Sequence, residues 1–154
     1  MGDQLVEFLR SKKGQANGPD VDWLAKKNAW IQSVKALYGQ VRDMLRDSIT
    51  SGDVKVETRD LEIAEEFVGT YTVPALDIFV GRERVEFRPM GVTVLGAEGR
   101  VDIRGERDVI TLLKNEASAT GWSMVLQRLP RLKMEPVNRD TLTYAFEQVM
   151  QPLK

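Results

Sequence analysis

Cysteine and histidine are both absent from this 154-residue chain. Without cysteine there is no disulfide, no thiolate nucleophile and no Cys-ligated zinc or iron–sulfur centre. Without histidine the chain lacks the commonest general base near neutral pH and the commonest metal ligand. Long apolar runs are missing too, and none approaches the roughly 20 residues of a membrane-spanning helix. Charge of one sign is not in excess: 22 Lys and Arg face 23 Asp and Glu, for a formal net charge of −1. Long-range attraction to nucleic acid or acidic membrane is therefore not indicated, while a local basic patch is compatible with this balance. The N-terminal run sets Asp3, Glu7 and Arg10 among Leu5, Val6, Phe8 and Leu9, which is not the pattern of a secretory signal. The expectation is a cytoplasmic protein with no membrane partner.

What is present is ordinary for a globular protein: 42% hydrophobic and 29% charged residues. Residues 20–154 suffice for one α+β domain with its own core. Residues 1–19 read as a short helix over Gln4 to Ser11, capped by Asp3, and a flexible connection through Pro19. That first helix is expected to pack on the domain.

The chain is organised around Thr70 to Leu113, which reads as successive strands closed by turns. Gly81-Arg82 separates Leu76–Val80 from Arg84–Pro89, and Gly105-Glu106 separates Arg100–Arg104 from Asp108–Leu113. Glycine at the first central position suits a type II′ hairpin in both. Pro89-Met90-Gly91 reads as a further turn and Gly96-Ala97-Glu98-Gly99 as a short loop. Val92–Leu95 then falls between two charged strands as an inner strand, which holds those strands about 10 Å apart.

Those two strands alternate. Val85 and Phe87 point one way, with Arg84, Glu86 and Arg88 opposite; Val101 and Ile103 point one way, with Arg100, Asp102 and Arg104 opposite. Period two with one charged side marks an antiparallel sheet that is apolar on one face. Before the meander, Asp20 or Asp22 caps a helix running to about Ser48. Trp23, Trp30, Leu37 and Met44 form one column of its apolar stripe and Ile31, Tyr38 and Leu45 another, beside Val34 and Val41. About 26 residues at 1.5 Å each reach roughly 39 Å, the width of a small sheet. Heptad spacing also admits a homodimer seam; the width of the stripe favours packing on the sheet. Val54–Val56 begins a strand, and Arg59–Phe67 leans to strand. Pro74 argues for an edge or bulge. After the meander come a polar loop over Lys114–Gly121, a strand over Trp122–Leu126, a turn at Leu129-Pro130-Arg131, and a short strand closed by Pro136. A last helix to about Gln151 is capped by Asn138 or Asp140, with Leu142, Ala145, Phe146, Val149 and Met150 inward. The predicted fold is an antiparallel β-meander sheet of six to eight strands, with a long N-terminal helix and a C-terminal helix packed on one face.

Chemistry was sought in three patterns. Asp102 followed by Val109–Lys114 resembles a strand aspartate preceding a Glu-x-Lys strand, but Leu112 occupies the place of the metal-binding carboxylate. Glu65, Glu66, Asp77, Glu83, Glu86 and Glu98 offer carboxylates for a glycosidase pair, and nothing in the spacing selects two of them. Gly96–Gly99 lacks a Lys-Ser/Thr and leads into a strand rather than a helix, so it is no phosphate loop. No cofactor, metal or catalytic residue is indicated.

The arginines remain. Their planar forks favour interfaces with carboxylates or phosphates. The partner-binding candidates are Arg84, Glu86, Arg88, Arg100, Asp102 and Arg104; the plain alternative is a solvated face of cross-strand ion pairs. The functional expectation is a non-enzymatic protein acting by protein–protein binding, as an immunity protein, chaperone or adaptor does. The alternative is a nucleic-acid-binding module using the arginine-bearing face.

Overall fold

The computed structural model describes residues 4–10, 22–92, 99–115, 118 and 120–153. Residues 4–10 form a short helix, α1. Then come α2 (Trp23–Met44), α3 (Arg46–Ser51), strands β1 (Lys55–Glu65), β2 (Gly69–Val80), β3 (Glu83–Gly91), β4 (Arg100–Arg104), β5 (Val109–Lys114), β6 (Trp122–Gln127) and β7 (Lys133–Pro136), and finally α4 (Arg139–Val149). The seven strands make one antiparallel meander in chain order, each paired with the next.

The apolar stripe of α2 faces this sheet. Trp30, Val34, Leu37, Tyr38 and Val41 are buried in the same cluster as Val85, Phe87, Val101 and Ile103, so the middle of the stripe serves the core. Asp22 starts the helix by accepting the Ala25 N–H at 3.0 Å. The helix breaks at Leu45 and resumes as α3, so the single predicted run to Ser48 is two pieces. Trp30 meets Trp122 of β6 with ring centroids 5.9 Å apart. Reciprocal bonds between Asn138 and Thr141 start α4, the Thr141 N–H donating to the Asn138 side chain at 2.9 Å and the Asn138 N–H to the Thr141 hydroxyl at 2.8 Å. Leu142, Ala145 and Val149 are the residues this helix buries.

Several local expectations are corrected. Arg59–Glu65 and the segment before it form one long strand, β1, with Glu66 and Phe67 in the turn that follows, and the runs either side of Pro74 fuse into β2. Pro89-Met90-Gly91 is no turn: β3 continues through it with an irregularity between Pro89 and Gly91. An inner strand at Val92–Leu95 is likewise not what separates the charged strands, because β3 and β4 are hydrogen-bonded neighbours, with Glu86 opposite Arg104 and Arg88 opposite Asp102. Opposite charges face each other across that ladder, so adjacency carries no penalty. Residues 93–98, including most of the predicted inner strand and the Gly96–Glu98 loop, lie outside the described residues, as do the Asp3 cap and the Ser11–Pro19 connection. In α1, Leu5, Val6, Phe8 and Leu9 are each more than half exposed.

Two turn glycines have different reasons. Gly81 has φ 60, as the first central residue of a type II′ hairpin requires. Gly105 was expected to do the same, but it has no positive φ and opens a longer loop, with its N–H bonded to the Asp108 carbonyl at 3.1 Å. A Cβ there would collide with the Val149 carbonyl. Close approach of the end of α4 selects glycine at this position.

The ladder parts in two places. β2 and β3 pair only over Leu76–Val80 and Glu83–Phe87, so the strands diverge beyond Leu76. Tyr38 fills this wedge: its hydroxyl is 2.8 Å from the Pro74 carbonyl and 3.2 Å from that of Phe87, and its ring meets Phe87 edge-on. Pro74 sits where β2 has no neighbour on the β3 side, which accommodates its missing N–H. β5 and β6 pair only over Leu112–Lys114 and Trp122–Met124. The remainder of each strand lines an open cleft of about 410 Å³, with Tyr144 and Gln148 of α4 also in its wall.

Candidate partner-binding face

The face of the sheet turned away from the helices carries the charged residues. Register builds it: Arg59 of β1 lies opposite Ala75, Asp77 of β2 opposite Glu86 of β3, and Glu86 opposite Arg104 of β4. Directly opposed residues of an antiparallel pair share a face.

This face is not uniformly solvated. Asp77, Glu86 and Asp102 are 5%, 6% and 5% exposed, so Glu86 and Asp102, expected on the solvated side as partner-binding residues, are buried instead. They are roofed by arginines. The Arg59 Nε donates to Asp77 at 2.8 Å, and its Nη2 pairs with Glu86, two strands away. Arg88 approaches Glu86 at 3.8 Å. Further along, Arg100 grips Asp102 with both Nε and Nη2, at 2.9 and 3.0 Å. The Thr111 hydroxyl donates to Asp102 at 3.1 Å and accepts from Arg128 at 3.2 Å. Hydrogen bonding to Asp77 first, and the charges of Asp77 and Glu86 beyond it, raise the Arg59 pKa; Asp102 does the same for Arg100. Exposed ion pairs contribute little, but a buried carboxylate stripped of its partner is costly. The two arginine–carboxylate groups therefore act as fixed parts of the sheet.

Tyr38 reaches this layer from the opposite side through the β2–β3 wedge. Burial, followed by the nearby Glu86 and Asp77 carboxylates, pushes its hydroxyl pKa well above the usual tyrosine value. Tyr71, whose hydroxyl bonds to Glu65, is pushed up by burial and then by that carboxylate.

Of the six predicted residues, the structure leaves two available. Arg84 and Arg104 are exposed, and their side chains make no hydrogen bond or ion pair among the described residues. Arg88 lies near Glu86, Arg100 is taken by Asp102, and Glu86 and Asp102 are the buried anchors. Arg82 in the β2–β3 turn joins the available pair, and all three line an open basin of about 770 Å³ together with Arg59 and Arg88. Glu86 and Glu106 are its acidic residues, and no aromatic ring lines it.

Sequence reasoning missed Arg59, because Arg59–Phe67 could not be assigned to a face. It also missed Asp77, although a lone carboxylate inside Ala75–Phe79 is itself a signal for a buried, paired acid. Asp77 and Glu86 lie opposite one another, and Arg59 engages both. No cluster of three metal-binding side chains occurs among the described residues, and no described helix is long and apolar enough to cross a membrane.

No family model, curated protein or solved structure matches this chain.

Proposed function

We propose that this protein acts in the cytoplasm by binding another protein, without catalysis of its own, and that the partner docks on the arginine-bearing face of the sheet over β3 and β4. One observation carries this reading. Three exposed arginines without partners, Arg82, Arg84 and Arg104, line an open basin beside a rigid layer of arginine–carboxylate pairs. A pre-organised surface loses little side-chain freedom on association, and arginine is enriched where proteins meet. The absence of His and Cys from the sequence favours binding over catalysis.

The test is reconstitution. A partner captured from the native host is purified, and its complex is mapped by hydrogen–deuterium exchange. Protection concentrated on β3 and β4 is the expected result. Protection confined to the outward side of α2, or no partner that survives purification, ends the reading.

A further inference from the structure

Resting on that reading, we propose that the basin receives an acidic segment of the partner, one carboxylate of which is held jointly by Arg84 and Arg104 and a second by Arg82. The register places the first pair. Arg104 lies opposite Glu86, and Arg84 is two residues from Glu86 on the same side of β3. Arg84 and Arg104 are therefore diagonal neighbours on one face, roughly 7–8 Å apart at the backbone. Two long guanidinium side chains at that separation converge on a single anion. Arg82 stands in the adjoining turn, at the same end of the basin.

The nearby acid does not cancel this pair. The Glu86 carboxylate is buried and bonded to Arg59 on the side away from β4. The free donors are forks, which suit carboxylate geometry and add direction to charge. Two features favour an acidic protein segment over nucleic acid. No aromatic side chain lines the basin to stack a base. Glu106 at its wall interrupts the positive surface, which suits discrete carboxylates spaced along a peptide better than a continuous run of phosphates.

Fluorescence anisotropy tests the assignment with three labelled probes: a peptide alternating Glu and Ser, the same peptide with Gln for Glu, and a single-stranded oligonucleotide of equal charge. The acidic peptide is expected to bind the wild type and to weaken as ionic strength rises towards about 0.15 M. The Gln peptide is expected not to bind. In R84Q/R104Q the acidic peptide should weaken by about tenfold or more, since two charge-assisted contacts are lost. The control K35Q/R42Q removes the same charge from exposed positions of α2 and should leave binding unchanged. If R84Q/R104Q melts early, Arg84→Lys and Arg104→Lys replace it; each keeps the charge, loses the fork, and should still weaken binding. The assignment is overturned if the acidic peptide fails to bind the wild type, if R84Q/R104Q binds it equally, or if the oligonucleotide binds more tightly. A purified partner held equally by the wild type and R84Q/R104Q would leave the protein-binding reading standing and overturn this one.

Discussion

The two wedges in the sheet have the same cause and opposite fates. In each, neighbouring strands stop pairing part-way along their length. The β2–β3 wedge lies under α2 and is filled by Tyr38, whose hydroxyl serves the Pro74 and Phe87 carbonyls. The β5–β6 wedge opens as a cleft, crossed by the bond from Arg128 to Thr111. Backbone carbonyls enclosed by a core have no water to turn to, so a gap there must be answered by a side chain. A gap open to solvent carries no such demand. One wedge is therefore part of the core, and the other is a surface feature.

Substitutions that empty the first wedge should have the largest effect. Tyr38→Ala removes a buried ring and the donor together, and is expected to destabilise by about 3–5 kcal/mol in denaturant unfolding. Tyr38→Phe keeps the ring and removes only the hydroxyl, which leaves the two carbonyls without their donor; the expected loss is about 1–3 kcal/mol. If both variants match the wild type, the wedge needs no plug.

A pH series sharpens the same contrast. Tyr38 and Tyr71 hold their protons beyond the ordinary value of 10.0 in the folded protein, whereas an unfolded chain releases them near it. Above that pH the unfolded state binds fewer protons than the native state. Stability is therefore complete below about pH 10 and falls as pH rises above it. Tyr38→Phe should make this fall shallower, with the remainder belonging to Tyr71. An unchanged slope would mean that Tyr38 ionises as freely in the native state as in the unfolded chain.

At the second wedge the effects should be small. Thr111→Val strips Asp102 of one donor and leaves its two bonds from Arg100, for about 1 kcal/mol. Arg128→Ala removes a single bond at the mouth of the cleft and should stay within about 0.5 kcal/mol of the wild type. An Arg128→Ala loss as large as that of Tyr38→Phe would erase the distinction between the two wedges.

Much of the scaffold was legible before any coordinates. Alternation in β3 and β4 assigned Val85, Phe87, Val101 and Ile103 to the core, and all four are fully buried. The α2 stripe was equally readable, and the cap of α4 was narrowed to Asn138 or Asp140, because each is a local pattern of a few residues. The errors that hid the site were errors of pairing. Taking Pro89–Gly91 for a turn inserted a strand between β3 and β4, which hid the opposition of Glu86 to Arg104. Without a face for Arg59, the burial of Asp77 and Glu86 could not be foreseen, nor which arginines they would leave over.

By itself the sequence determined the kinds of element, the core-facing parity of the charged strands and the lack of His and Cys chemistry, since these follow from residue type and from periods of two and 3.6. Only the tertiary structure decided which arginines are occupied and which are open to a partner. Both sets have the same chemistry and the same alternation along the chain. Arg59 and Arg100 each engage a buried carboxylate, whereas Arg84 and Arg104 flank Glu86 along the strand and across the ladder without bonding to it, a difference set by where the side chains pack and not by residue type or spacing.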